Sequence, residues 1–214
     1  MIRACIFDLD GVLVDTAKYH YLAWKRLAEG LGFNFTEHHN ERLKGVSRMD
    51  SLRILLSIGG IKKSEQEMEV LASIKNQWYV EYISQLTSED ILPGTLEILD
   101  FLKKHNILVA VGSSSRNART ILKGIGLEES FMSIVDGTRI VKAKPDPEVF
   151  TKAADDMGVS YSECIVFEDA ITGVQAAKNA GMKAIGIGDS DVLNHADMVV
   201  PSLEKLDFDK LFEL

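Results

Sequence analysis

The chain of 214 residues has few cysteines and no excess of positive charge. Its two cysteines, Cys5 and Cys164, both lie in short apolar runs typical of buried strands, which favours reduced, buried side chains over a disulfide or a metal site. The formal net charge is −8. Because affinity for nucleic acid depends on many cationic contacts to phosphates, we expect no nucleic-acid partner.

Long hydrophobic runs are also absent. No apolar stretch approaches the roughly 18 residues that a membrane span requires, and the N-terminus enters a predicted strand that ends in acids, which is not the pattern of a signal peptide. We therefore expect a cytoplasmic protein without a membrane partner, and we expect a monomer. The 46% of apolar and 26% of charged residues are typical of a globular chain with one core and room for a smaller domain.

Two carboxylates close the first predicted strand. Ala4 to Phe7 has the composition of a buried strand, and it runs into Asp8-Leu9-Asp10-Gly11. Side chains alternate in an extended chain, so Asp8 and Asp10 point to one side, where they repel unless a cation or a shared proton intervenes. Gly11 then allows a sharp turn beside a bound ligand.

The rest of the chain divides into a helical block and an alternating block. Helical spacing predicts helices after Thr16, Ser47 and Ser64, and His38-His39 is predicted to be a solvated loop. Beyond Pro93, helices alternate with apolar strands near residues 108–111, 134–135, 164–167, 184–187 and 198–200. We predict an α/β fold: a Rossmann-like parallel-sheet core of residues 1–15 and 88–214, with an inserted all-helical cap domain of residues 16–87.

Polar side chains follow successive strands of the predicted sheet. They are Asp8 and Asp10, then Ser113, Ser114 and Ser115, then Lys144, and finally Glu168 and Asp169. In open α/β sheets ligands bind outside the carboxyl ends of the strands, so we expect these groups to share one crevice. Carboxylates with hydroxyls and no cluster of cysteine and histidine suit a hard cation such as Mg²⁺.

The residue types predict phosphoryl transfer. A carboxylate beside Mg²⁺ can attack phosphorus and hold the phosphoryl group as an acyl phosphate, a role that we assign to Asp8. Asp10, two residues further on, can protonate a leaving oxygen and later accept a proton. Ser113 can hydrogen-bond a phosphoryl oxygen, and Lys144 can neutralise charge in the transition state.

Two predicted helix starts favour a second anion site. Ser47-Arg48 begins one helix of the predicted cap, and Ser115-Arg116-Asn117 begins one of the predicted core. A helix N-terminus next to an arginine attracts an anion. A ligand with two phosphates could therefore bridge cap and core, and cap closure around it would exclude water.

The motifs Asp8-Leu9-Asp10-Gly11-Val12, Gly112-Ser113, Lys144-Pro145 and Glu168-Asp169 resemble those of the haloacid dehalogenase superfamily along the whole chain. Within it, the chain is most similar to the β-phosphoglucomutase family. That likeness rests on Leu43 to Arg48, Asp15 to His20, Ser115 to Asn117 and Lys75-Asn76.

The resemblance implies a Mg²⁺-dependent enzyme that interconverts β-glucose 1-phosphate and glucose 6-phosphate through an aspartyl phosphate and glucose 1,6-bisphosphate. It implies phosphorylation of Asp8 and acid–base work by Asp10, assisted by Ser113 and Lys144. The implied metal ligands are Asp8, the Asp10 carbonyl, Glu168 and Asp169. The implied substrate-binding residues are Asp10, His20, Trp24, Lys44, Gly45, Val46, Ser47, Arg48, Lys75, Ser115, Arg116 and Asn117. Arg116 departs from the family pattern, which usually has lysine there, and this alters the donor geometry.

Other interpretations stay open at this stage. Trp24 suits the packed interior of the cap as well as a sugar contact, and His20 suits packing as well as the positioning of Asp10. For the whole chain, the alternatives to a mutase are a sugar-phosphate phosphatase on the same scaffold and a non-enzymatic signalling protein that carries phospho-Asp8. The large cap disfavours the signalling role, because it is suited to enclosing a small substrate.

Overall fold

A six-stranded parallel sheet forms the centre of the molecule. The structure is a computed structural model that describes residues 2–43, 46–212 and 214. The strands are β1 (Ala4–Phe7), β2 (Leu108–Gly112), β3 (Ser133–Val135), β4 (Cys164–Glu168), β5 (Lys183–Ile187) and β6 (Met198–Val200). Their order is β3-β2-β1-β4-β5-β6 and all neighbouring pairs are parallel. The predicted α/β class and all the predicted strands are confirmed.

Strand β1 lies in the middle of the sheet, and this places its carboxyl end among those of its neighbours. Phe7 pairs with Val111 of β2 on one side and with Phe167 of β4 on the other. The Asp8 amide still donates to the Phe167 carbonyl, at 2.9 Å. The residues directly after β1, β2 and β4 therefore emerge at one edge of the sheet, as in other open α/β folds.

The helices cover the sheet and build a separate layer above one edge. They are α1 (Ala17–Gly30), α2 (Glu37–Glu41), α3 (Arg48–Ile58), α4 (Glu65–Ile83), α5 (Thr95–Lys104), α6 (Ala118–Gly124), α7 (Glu148–Met157) and α8 (Ile171–Asn179). The serines predicted to begin α3 and α4 both accept a backbone N–H in the first turn, from Asp50 and Glu67. Of these two serines, only Ser64 forms a reciprocal capping box, because its own amide donates to the Glu67 carboxylate.

Three apolar clusters hold these layers together. One face of the sheet contains Phe7 stacked on Phe167, with ring centroids 4.5 Å apart, and the other face contains Phe150 from α7. The third cluster joins α1, α3 and α4 through side chains such as Trp24 and Leu55. A separate cluster of this kind supports the predicted cap, although the boundaries at residues 16–87 remain a prediction.

One predicted loop is wrong. His38 and His39 lie in the short helix α2, not in a solvated loop. Thr36 accepts from the His39 amide at 3.3 Å, and His39 Nδ1 accepts from the Thr36 amide at 3.2 Å. The imidazole thus accepts the hydrogen bond that a Glu or Gln side chain usually accepts in a capping box. The usual sequence signature of a capping box does not include histidine.

The two cysteines are free and buried, as predicted. None of the helices in the described ranges combines the length and the apolar character that crossing a bilayer demands.

Candidate active site

The turn after β1 brings two carboxylates and a glycine against the end of β4. Gly11 has a φ of +84°, and its amide donates to the Val14 carbonyl at 2.9 Å. A Cβ on Gly11 would overlap the Asp169 carboxylate. Glycine is therefore required here both for the left-handed backbone and for the close approach of the two segments.

Lys144 lies between two carboxylates of the predicted site, the predicted nucleophile Asp8 and the predicted metal ligand Glu168. Its side chain is completely buried, and its Nζ lies 2.5 Å from Asp8 Oδ1 and also contacts Glu168 Oε1. Burial alone lowers the pKa of a lysine, but these two carboxylates raise the pKa of Lys144 above its ordinary value. An ammonium in this position holds Asp8 in place and lowers the repulsion between the acids. The Lys144-Pro145 peptide is cis.

Three carboxylates form a cluster that suits a metal ion. Oxygens of Asp8, Glu168 and Asp169 all lie within 4.8 Å of one another. This donor set contains only hard oxygen ligands, which fits Mg²⁺ and does not fit a soft metal. The Glu168 side chain is oriented by the Ala170 amide, which donates to Oε2 at 2.9 Å. The Asp10 carboxylate is not part of this cluster, and its carbonyl remains a predicted ligand.

Asp10 is turned toward the first turn of the cap. Its Oδ1 accepts a hydrogen bond from the Thr16 hydroxyl. Burial, followed by the negative charge of Asp8, raises the pKa of Asp10 to about 6. A carboxyl group with such a pKa can exist in both protonation states near neutral pH, as a group that gives and takes protons must.

Ser113 comes directly after β2 and is buried at the same edge of the sheet. Its Oγ accepts from the Ser115 amide at 3.1 Å, and its own amide donates to Val135 at the end of β3. The hydroxyl proton can rotate toward a ligand, because the serine oxygen uses only a lone pair in the bond to Ser115.

Most of the predicted site residues line one cavity between the helical layer and the sheet edge, called here the central cavity. Of the predicted residues, Asp8, Asp10, His20, Trp24, Val46, Arg48, Lys75, Ser113, Ser115, Arg116, Asn117 and Asp169 line it. Lys144 and Glu168 lie behind Asp8 and do not line it. Ser47 lines a neighbouring cleft that shares Arg48 and Arg116 with the central cavity. Lys44 and Gly45 fall outside the described residues.

The cavity also contains polar residues that sequence reasoning missed. Asn40 of α2 and Ser51 of α3 are both buried and both line it. Ser51 follows Arg48 by three residues, so helical spacing could have placed it on the same face. Asn40 directly follows His38-His39, which were predicted to be a loop, and no pattern in the sequence marks it.

Two arginines from different layers face the central cavity. Arg48 begins α3 and Arg116 precedes α6. Burial, followed by the positive charge of Arg116, lowers the pKa of Arg48. Two guanidinium groups that line the same cavity repel each other, and an anion between them would remove the repulsion. A hydrogen bond of 2.9 Å from Asn117 Nδ2 to Asn76 Oδ1 joins the same two layers nearby.

His20, which is half-buried, and Lys75, which is buried, form a polar pair at the cavity wall. Lys75 Nζ lies 3.0 Å from His20 Nδ1, and the His20 ring packs on Tyr79 with centroids 4.0 Å apart. Burial, followed by the charge of Lys75, lowers the pKa of His20. Burial also lowers the pKa of Lys75, so which of Nζ and Nδ1 donates in this hydrogen bond depends on the protonation of Lys75 and on the tautomer of His20. His20 therefore both packs and hydrogen-bonds.

Comparison with known proteins agrees with these motifs. The chain is 45% identical to a β-phosphoglucomutase of Bacillus subtilis, over 99% of this chain and 95% of the relative. It is 35% identical to a phosphorylated carbohydrates phosphatase of Thermotoga maritima, over 86% of this chain and 84% of the relative. A crystal structure of a β-phosphoglucomutase from Clostridium difficile superposes with a TM-score of 0.96 at 41% identity, covering 100% of this chain and 96% of the other.

The match to a family model covers the sheet edge described above. The model for haloacid dehalogenase-like hydrolases matches residues 2–181, which include the acids after β1, Ser113, Lys144 and the acids after β4. The chain belongs to the haloacid dehalogenase-like family.

Proposed function

We propose that this chain is a Mg²⁺-dependent β-phosphoglucomutase, which interconverts β-glucose 1-phosphate and glucose 6-phosphate through glucose 1,6-bisphosphate. The observation that carries the proposal is that one cavity contains both the Asp8 carboxylate and the pair Arg48 and Arg116. A sugar with two phosphates has one phosphate for each of these sites. The 45% identity to a β-phosphoglucomutase over nearly the whole chain supports the same assignment.

The carboxylate cluster would hold the metal ion. Asp8, Glu168 and Asp169 offer oxygens at suitable separations, and we propose the Asp10 carbonyl as a further ligand. A bound Mg²⁺ would neutralise charge on the phosphoryl oxygens during transfer. Lys144 would act on the same charge from the side of Asp8, and the Ser113 hydroxyl would donate to a phosphoryl oxygen.

In the first transfer, an Asp8 oxygen attacks the phosphorus of one phosphate of the bisphosphate. The bond between phosphorus and the sugar oxygen breaks, and the sugar oxygen takes a proton from Asp10. The products are phospho-Asp8, deprotonated Asp10 and a sugar monophosphate. The pKa of Asp10, about 6, suits this donation because a useful fraction of the carboxyl is protonated near neutral pH.

In the second transfer, the other hydroxyl of a sugar monophosphate attacks phospho-Asp8. Asp10 now accepts the hydroxyl proton, and the bond between phosphorus and Asp8 breaks. The remaining phosphate of the sugar would lie between Arg48 and Arg116 in both steps. The proposed cap, residues 16–87, would close over the core, residues 1–15 and 88–214, to keep water from phospho-Asp8.

The second candidate is a sugar-phosphate phosphatase. Its support is the 35% identity to a phosphorylated carbohydrates phosphatase. The chemistry differs only in the second transfer, where water would replace the sugar hydroxyl. The hydrogen bond from Asn117 to Asn76, which joins core to cap beside the cavity, favours the closed site of a mutase over one open to water.

The deciding experiment compares two products. The pure protein is incubated with Mg²⁺, β-glucose 1-phosphate and a trace of glucose 1,6-bisphosphate, and both glucose 6-phosphate and free phosphate are followed. A mutase gives glucose 6-phosphate with little phosphate, and a phosphatase gives phosphate in proportion to the sugar consumed. Formation of neither product would contradict both candidates.

Two variants test the assigned roles. Asp8→Asn removes the nucleophile, so we expect no transfer and no phosphorylated enzyme by mass spectrometry. Asp10→Asn removes the proton donor but leaves the carboxylate cluster intact, so Mg²⁺ binding should be unchanged while sugar turnover stops. Turnover at the wild-type level in either variant would contradict its role.

We also propose, as expected from the sequence, a monomer that acts in the cytoplasm. Light scattering after size exclusion, with and without the sugar phosphate, checks the monomer.

A further inference from the structure

A glycine after β3 lies against the segment that carries one of the two arginines of the cavity. Gly137 lines the neighbouring cleft together with Ser114 and Arg116. A Cβ on Gly137 would lie 2.4 Å from the Ser114 carbonyl oxygen, 3.0 Å from Arg116 Cγ and 3.2 Å from the Arg116 amide nitrogen. The lack of a side chain at Gly137 therefore leaves room for the segment in the place where the structure has it.

The backbone conformation of Gly137 does not itself require glycine. Its φ lies outside the left-handed region, in contrast to that of Gly11, so an alanine could adopt the same conformation. The Gly137 amide donates to the Ser115 carbonyl at 3.1 Å and so holds the two segments close together. The contact with residues 114–116 is therefore what excludes a larger residue.

Both segments are fixed by hydrogen bonds, so neither moves aside at little cost. The Ser113 amide donates to the end of β3 at 2.9 Å, and Ser113 Oγ accepts from the Ser115 amide at 3.1 Å. On the other side, the buried Asp136 carboxylate accepts from the Thr138 amide at 2.9 Å. The Arg116 side chain is exposed, and it is the part that an added methyl group would displace most easily.

We propose that Gly137 is a positioning residue, which sets the direction of the Arg116 guanidinium and so the affinity for the phosphate between Arg48 and Arg116. This inference rests on the proposed function, because it takes the ligand to be a sugar with two phosphates. A guanidinium binds a phosphate through two parallel N–H groups, so its orientation matters more than that of an ammonium. A displaced Arg116 would keep its charge but lose this geometry.

The test measures the binding of glucose 1,6-bisphosphate by calorimetry. It uses an Asp8→Asn background with Mg²⁺, in which the ligand is not turned over. Gly137→Ala is the variant, and Gly186→Ala in β5 is the matched control, because a Cβ there would lie 3.0 Å from Leu193 Cβ and its φ is not left-handed either. We expect Gly137→Ala to weaken binding about tenfold, whereas Gly186→Ala should change it less than about twofold.

A second substitution shows whether the effect passes through Arg116. Arg116→Ala removes the guanidinium, so there is no longer a group for Gly137 to orient. In this background Gly137→Ala should weaken binding by less than about threefold, against about tenfold when Arg116 is present. A purely structural role of Gly137 would give the same factor in both backgrounds.

Each other outcome overturns the inference. Unchanged binding in Gly137→Ala would mean that Gly137 does not position Arg116. The same factor with and without the Arg116 side chain would mean that Gly137 supports the loop as a whole. An equal loss in Gly186→Ala would be a general response to an added methyl group. Unfolding of Gly137→Ala at the assay temperature would show that the glycine is needed for the fold.

The outcome for Gly137 is separate from that for the mutase. A wild-type protein that does not isomerise β-glucose 1-phosphate would contradict the proposed function, and the binding ratios in the Asp8→Asn background would still decide on Gly137. If the Asp8→Asn protein bound no glucose 1,6-bisphosphate, there would be no phosphate for Arg116 to bind, and the Gly137 inference would be overturned directly.

Discussion

Replacing Lys144 by methionine tests the electrostatic centre of the site. The substitution keeps the length of the side chain and removes its charge. It leaves the Asp8 and Glu168 carboxylates, which are 10% and 1% exposed, without their ammonium partner. Breaking a buried ion pair from one side costs about 3–5 kcal/mol of unfolding free energy, because the remaining charges stay buried and unpaired. For a chain of this size, the melting temperature should fall by about 6–20 °C.

The matched control is Lys152→Met. Lys152 Nζ lies 2.6 Å from Glu148 Oε1, a distance close to that between Lys144 and Asp8, but the Lys152 side chain is 38% exposed. Glu148 also keeps two backbone donors, the amides of residues 141 and 142. Exposed pairs contribute at most about 1 kcal/mol. Burial is therefore the main difference between the two substitutions.

Denaturation in metal-free buffer, followed by circular dichroism, measures both variants. Equal losses of stability in the two variants would refute the role given to the buried pair. The pH dependence adds a second check. Burial raises the pKa of Glu168 to about 7 although Lys144 opposes this, so in Lys144→Met the Glu168 carboxyl binds its proton still more tightly when folded, and the loss of stability should shrink as the pH falls and grow as it rises. Mg²⁺ should stabilise this variant more than the wild type, because the cluster is then more negative.

Three further predictions concern the surroundings of the site. Gly173→Ala would place a Cβ on the Glu168 carboxylate, so it should destabilise the protein and weaken Mg²⁺ binding in a titration, whereas Gly30→Ala, with nothing within 4 Å, should do neither. His20 has a lowered pKa because it is buried, so the unfolded chain binds its proton first. Below about pH 6.5 the stability of the wild type relative to His20→Asn should therefore fall, by up to ~1.4 kcal/mol per pH unit, in urea titrations at several pH values. Asn117→Ala removes the hydrogen bond to the cap, so the ratio of phosphate release to isomerisation should rise about fivefold; an unchanged ratio would mean that this bond does not control water access.

The sheet edge could be predicted because it depends on local pattern and one topological rule. Asp8, Ser113 and Glu168 each follow an apolar run, and parallel strands bring their carboxyl ends together. The convergence of these residues thus follows from the topology of the sheet alone. The strand bounds agree for the same reason, since a strand buried on both faces is apolar throughout.

Contacts between distant segments could not be predicted in the same way. Lys144 meets Asp8 across 136 positions of sequence, and it comes from a loop rather than from a strand end. Sequence order indicated that it would be near the acids, but not that it would lie between two of them. Asn40 is the clearer failure, because its place in the cavity wall depends on a helix whose capping residue, His39, does not fit the usual signature.

The charges around the central cavity differ between its two ends, and each end favours a different ligand. Asp8 and Glu168 share the Lys144 ammonium, and Asp169 has an oxygen within 4.8 Å of theirs, so a divalent cation would lower the repulsion within this cluster. Arg48 and Arg116 carry two positive charges, which one phosphate dianion balances. Without an anion, the guanidinium groups of Arg48 and Arg116, which come from different layers, repel each other across the cavity. A phosphate between them would remove that repulsion and a metal ion would lower the repulsion among the acids, so each ligand should stabilise the arrangement of the site that the structure shows.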